Sequence, residues 1–153
     1  MNISITDIKS FQGLPKVQQE SIKRLLDSIG DEEDLLEEML LNLDIYDDVN
    51  LSFFKDITNI TNSRVAQNLL AIYYKHKKPI SKKEKDSNNK QAFIYWKKAA
   101  DQGLTEAMYN VAHCYHMGLG TCKSIYYAEI YYKKAYKQGH RLSFLKLKYL
   151  TIR

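Results

Sequence analysis

One twelve-residue phrase occurs twice in this chain, and it restricts the fold more than any other feature. Residues 92–103 read AFIYWKKAADQG and residues 128–139 read AEIYYKKAYKQG, identical at eight of twelve positions and offset by 36. A fixed period of this size is the signature of stacked helical hairpins, in which each copy buries its apolar face only against its neighbours.

Each phrase reads as a helix with its stop signal. Ala92, Tyr95, Trp96 and Ala99 recur at helical spacing, with Lys97 and Lys98 turned to water. Gly103 stands where a helix C-terminus favours a residue tolerant of positive φ. Between the copies, Ala107, Met108, Val111, Ala112 and Tyr115 form the apolar face of a second helix, which Gly118-Leu119-Gly120 ends in a tight turn. Small residues at Ala99, Ala107, Ala112 and Ala135 let helices approach closely, while Trp96, Tyr115 and Tyr132 fill the gaps.

The run EAMYNVAHCYHMGLG at 106–120, followed by residues 128–139, resembles the Sel1-like repeat, a relative of the tetratricopeptide repeat. That family has a small–Leu–Gly–Tyr first helix, a Gly-x-Gly turn and an Ala–Trp/Tyr–Ala–Ala second helix closed by Gly. The resemblance runs from about Val65 to the C-terminus, with Ala112 departing from the usual Gly. It implies an all-α fold: a short right-handed α-solenoid of antiparallel hairpins, used for protein–protein contacts, with the first helices lining the concave side. On that implication Leu69, Ile72, Tyr73 and His76, then Tyr109, Asn110, His113 and Met117, are the expected partner-contacting residues. Tyr109 and Tyr127 are the tyrosines expected at the surface, where tyrosine supplies stiff amphipathic contact area.

At 153 residues the chain reads as a single domain, with an N-terminal acidic helical cap at 1–62 and repeats at 63–153. No apolar run approaches the ~18–20 residues of a membrane span, and the start lacks the pattern of a secretory signal. Cys114 and Cys122 make no disulfide framework, so the expected compartment is the cytoplasm. The net charge of +5 conceals a division: residues 1–56 hold 13 acidic and 5 basic side chains, and residues 57–153 hold 5 and 18. Such polarity acts on partner choice and encounter rate more than on fold.

Along the chain, a short helix is expected near residues 6–12 and a longer one from Leu14-Pro15 to Gly30. A third follows Asp31, with Leu35, Leu36, Met39, Leu40 and Leu43 inward. Residues 44–50 read as a connection and 51–60 as a decayed repeat helix, whose Asn62 aligns with Gly103 and so is expected at positive φ. In the helix at 63–76, Ala66, Leu70 and Tyr74 face the core, and Val65, Leu69 and Ile72 form an opposite stripe for the folded-back 31–43 helix or a partner to cover. The lysine-rich stretch 77–90 reads as a mobile surface loop. The last helix places Phe144, Leu147 and Leu150 inward and leaves a C-terminal edge on which a second copy could pair.

Two further constellations carry alternatives. His113, Cys114, His116 and Cys122 are zinc-type residues, but their spacing is not that of a paired four-ligand site, and the repeat already accounts for the segment. No metal or other cofactor is expected, and the zinc-binding enzyme or sensor stands as the alternative of another class. Residues 27–48 carry ten carboxylates and no Lys or Arg. They suit both a hydrated helix face and a phosphate-like surface offered to a basic cleft, with Asp34, Glu37, Glu38, Asp44, Asp47 and Asp48 as the candidate contacts. The 77–90 lysines lack interleaved aromatics, so neither nucleic acid nor a membrane is expected as primary ligand.

No motif in the chain combines a nucleophile, a base and a pocket, so the expected class is a non-catalytic binding module. The resemblance points to a bacterial immunity protein that blocks a cognate toxin carrying a basic active surface, because such repeats occur among toxin antagonists. A secreted effector or signalling adaptor is the alternative within the class.

Overall fold

The computed structural model describes residues 9–17, 19, 20 and 48–151. Among them every regular element is a helix: α1 (Lys9–Gln12), α2 (Asp48–Thr61), α3 (Arg64–His76), α4 (Lys82–Asp101), α5 (Thr105–Met117), α6 (Ile125–Lys137) and α7 (Arg141–Thr151). No described helix is long and apolar enough to cross a membrane. The chain divides into two compact units, Met1–Leu70 and Ala71–Arg153, the boundary falling inside α3. The expected helices at 14–30 and 31–43 lie outside the described residues, apart from helical positions just after Pro15.

In the first unit α1 packs on α2, and Phe11, Leu14, Leu51 and Phe54 are buried. The expected connection at 44–50 is corrected in its last part, because α2 already begins at Asp48. Asn62 ends this helix at φ 53°, as its alignment with Gly103 requires. Gln67 and Asn68, on the side of α3 next to its apolar face, are buried too, and Gln67 donates through Nε2 to Asn62 Oδ1 at 2.7 Å.

The second unit is a short α-solenoid. α5 packs on both α4 and α6, and α6 on α7. Its core joins Ala71 of α3 to Ala92, Trp96, Ala99, Ala107, Val111, Ala112, Ala128, Tyr132 and Ala135. Alanines at the crossing points leave no side chain between backbones, and the large rings close the remaining space, which is how a repeat reaches native packing density. The two copies end alike. Leu104 N–H donates to Ala99 O and Gly103 N–H to Ala100 O; 36 residues on, His140 N–H donates to Ala135 O and Gly139 N–H to Tyr136 O. These paired bonds satisfy carbonyls that a helix end leaves open.

The stretch at 77–90 corrects the expectation of a mobile loop, since from Lys82 onward it is the first half of α4. Ser81 is the N-cap: Glu84 N–H donates to Ser81 Oγ at 3.2 Å, and Glu84 Oε2 in return accepts from Ile80 N–H at 2.8 Å. This reciprocal pairing nucleates a helix despite the lysines. The Ile80 N–H, followed by Lys77 at 3.4 Å, holds the Glu84 carboxyl below its usual range.

Extending α4 gives the α5–α6 turn something to rest on. Gly120, at φ 69°, lies so close that a Cβ there would stand 2.1 Å from Asn89 O and 2.7 Å from Lys90 N. In α7 the expected inward Phe144 is corrected: it is 37% exposed and stacks on Tyr136 at 5.1 Å, while Ser143 is buried and Leu147 and Leu150 pack on the core.

Candidate protein-binding face

The first helices of successive repeats are α3, α5 and α7, and the repeat register sets equivalent positions on them side by side. Counting 41 residues from α3 to α5 and 36 from α5 to α7 aligns Ile72 with His113 and Tyr149, His76 with Met117, and Asn110 with Lys146. Ile72, Asn110, His113 and Lys146 are half-buried, and Met117 is 56% exposed. Ile72 also packs against the core, and all of these residues are held on helices that build it, so their positions are set by packing rather than by loop conformation.

His113 stands at the middle of this face. Its Nδ1 is buried without a hydrogen-bond partner among the described residues. Burial pushes its pKa down, and the charges of Lys146 from α7, Lys75 from α3 and, once protonated, His116 on its own helix push the same way. Lys75 and Lys146 were not foreseen, although the register places them where their chains converge on His113. Cys114, one residue on, faces the core instead, where burial raises its thiol to about 11 against a small opposing pull from Lys75. A thiol so protonated is chemically inert.

Several expected contacts are corrected. Tyr73 is 5% exposed and sets its ring edge-on to Tyr74, so it is a packing residue, because α3 buries more than one stripe. Tyr109 is half-buried, tilted onto His140 at 4.5 Å and Tyr132 at 5.6 Å, which makes it a wall of the core rather than a free contact. Tyr127 is exposed as expected, but it stands in the first turn of α6, in a chain of ring contacts with Tyr126 and Tyr115. The surface tyrosines that went unforeseen are Tyr126, Tyr136 and Tyr149. Leu69 is half-buried in the first unit, and His76 is exposed at the end of α3. Asp34, Glu37, Glu38, Asp44 and Asp47 lie outside the described residues, and Asp48 is described only as the first residue of α2.

Among the described residues no three His, Cys, Asp or Glu side chains stand close enough to hold a metal ion. His113, His116 and Cys122 therefore form no ligand set, with Cys122 exposed past the turn. An open cleft lined by Ile80, Lys82, Lys85, Asn89, Gly118 and Thr121 flanks the α4 N-terminus, whose own cap already occupies the nearest N–H groups.

No curated protein matches the sequence. Among solved structures, the chain is similar to a Sel1 repeat protein from Oxalobacter formigenes, with 23% identity, a TM-score of 0.63, and coverage of 84% of this chain and 96% of that one. That similarity shows the same fold. The family model for the Sel1 repeat matches residues 64–104, which hold α3 and α4, and 105–140, which hold α5 and α6. With half of its length inside those two copies, the chain belongs to the Sel1 repeat family.

Proposed function

We propose that this chain is an immunity protein that binds a cognate toxin and blocks its active surface by occlusion. Sel1 repeats are protein–protein interaction modules, and the finer reading builds on that. The observation that supports it is the solvent-facing strip on α5, centred on Asn110, His113 and Met117, held on a rigid hairpin core. Inhibition by occlusion needs such a pre-formed surface, since ordering a loop on binding would weaken the complex. In this reading the acidic residues 27–48 meet the basic active surface of the toxin. The protein acts in the cytoplasm, which suits its two free thiols, Cys114 and Cys122.

The test is to mix the purified chain with the product of the adjacent gene and to measure both complex formation and loss of toxic activity. No complex with that neighbour would sink the immunity reading. Reversing charge in Glu37→Lys with Glu38→Lys is expected to weaken binding and leave the fold intact. An unchanged affinity would transfer the toxin contact to the repeat face. A second copy as partner is supported by the exposed Leu142, Leu145 and Tyr149 on α7, and sedimentation equilibrium separates the two readings by mass.

A further inference from the structure

We infer that the face shared by α3, α5 and α7 in the second unit takes an acidic segment of a partner protein, Asp and Glu alternating with apolar residues. This rests on the reading of the chain as a protein-binding module and names the chemistry that such a module holds.

The argument starts from charge placement. Among the described residues, the charges that act on His113 are those of Lys75 on α3 and Lys146 on α7, joined by His116 on α5 when it is protonated. The three helices contain a single carboxylate, Glu106, and it sits in the first turn of α5, about two turns from His113. Among the described lysines of the unit only Lys97 is half-buried besides Lys75 and Lys146, and it has Asp101 at 2.7 Å; the rest are exposed. Lys75 and Lys146 have no ion-pair partner among the described residues, yet both are half-buried. Half-buried like charges repel one another and are screened less than exposed ones. A surface that keeps them together without a counter-charge is complementary to a ligand that brings one.

Two further observations specify the ligand. His113 is half-buried and its enclosed Nδ1 has no hydrogen-bond partner among the described residues, so a rotation of the ring that brings Nδ1 outward onto a bound donor or acceptor would satisfy it. Beside the cations stand Ile72, Met117 and Tyr149, which offer apolar contact at repeat spacing. A peptide alternating Glu with apolar residues supplies both kinds of partner. Nucleic acid would match the charge but stacks successive bases on several exposed rings, and of the tyrosines on this face only Tyr149 is exposed among the described residues, while Tyr109 is turned onto His140 and Tyr132. A bound carboxylate also favours the charged imidazole, so binding takes up a proton at His113 and strengthens as pH falls.

The experiment measures fluorescence anisotropy of a labelled peptide of alternating Glu and Leu, its Gln-for-Glu counterpart, and a single-stranded oligothymidylate, against the full chain. The Glu peptide is expected to bind at least about tenfold tighter than the Gln peptide, weakening with salt. Lys75→Glu with Lys146→Glu should abolish that preference, and the milder Lys75→Gln with Lys146→Gln should reduce it while leaving the thermal melt unchanged. Affinity should rise from about pH 8 to about pH 6 in the parent and stay flat in His113→Gln. Equal binding of the Glu and Gln peptides would overturn the acidic chemistry and leave the protein-binding module standing. Failure of the Glu peptide to bind would overturn it too, as would tighter binding of the oligothymidylate lost on the same charge reversal. The module reading itself fails only if the toxin or other cognate protein forms no complex with the parent chain.

Discussion

Replacing Gly120 by Ala tests whether the extension of α4 and the α5–α6 turn are one packed unit. Two costs apply. An L residue at φ 69° in the left-handed region loses roughly 1–2 kcal/mol. The new Cβ would stand 2.1 Å from Asn89 O and 2.4 Å from Asn89 C, so the helix backbone must withdraw by about 1.3 Å for that oxygen to reach ordinary contact at 3.4 Å. Backbone atoms inside a helix cannot rotate away, and overpacking of this kind costs roughly 1–3 kcal/mol. The expected loss is roughly 2–5 kcal/mol in all. Gly103→Ala is the internal control, because Gly103 also has positive φ, at 89°, but a Cβ there meets nothing within 4 Å. It should show the conformational cost alone, roughly 1–2 kcal/mol. Both substitutions stiffen the unfolded chain similarly, so that contribution cancels in the comparison. Urea unfolding followed by the fluorescence of Trp96, the single tryptophan and a core residue of the same unit, reads the difference directly. Equal losses for the two variants would refute the close approach of the turn to α4.

Trp96→Ala removes the largest core ring of the unit and should cost about 3–5 kcal/mol by urea unfolding followed with circular dichroism; a loss below about 1 kcal/mol would mean that the ring is not enclosed. Tyr132 is fully buried, and its hydroxyl has no hydrogen-bond partner among the described residues. Tyr132→Phe keeps the ring contacts with Tyr109 and His116 and should be neutral or stabilising, within about 1 kcal/mol in a thermal melt. Ser81→Ala removes the cap of α4 and should cost about 1 kcal/mol, with faster hydrogen exchange confined to the first turns of that helix. The folded pKa of His113 is depressed, so the unfolded chain takes up its proton first. Stability should therefore fall as pH drops below the unfolded value of about 6.5, through the folded pKa, and this component of the melting curve should vanish in His113→Gln.

The repeat register was legible because its physics is local and periodic. Ala99, Ala107 and Ala135 must be small where helices cross, and all three are fully buried. Asn62 occupies the position of Gly103 and carries the positive φ that this alignment demands. The capped start of α4 was equally present in the sequence, as Ser81-Lys82-Lys83-Glu84, but a lysine-rich composition hid it. Two specific hydrogen bonds at Ser81 and Glu84 outweigh the repulsion of solvated lysines.

What only the tertiary structure decided is which faces of these helices meet. Tyr73 and Tyr109 have the same chemistry as the exposed Tyr126, and no local pattern separates them; neighbouring helices bury the first and half-bury the second. Phe144 and Ser143 differ by one step on α7, and once α7 packs on α6 the serine is buried while the phenylalanine stays 37% exposed. The gathering of Lys75, His113 and Lys146 is likewise a product of stacking, because these residues lie on three different helices and converge only when the hairpins pack. Periodicity along a chain specifies each helix and its buried stripe, whereas the electrostatic character of a face is a sum over helices distant in sequence, and exists only once they are placed side by side.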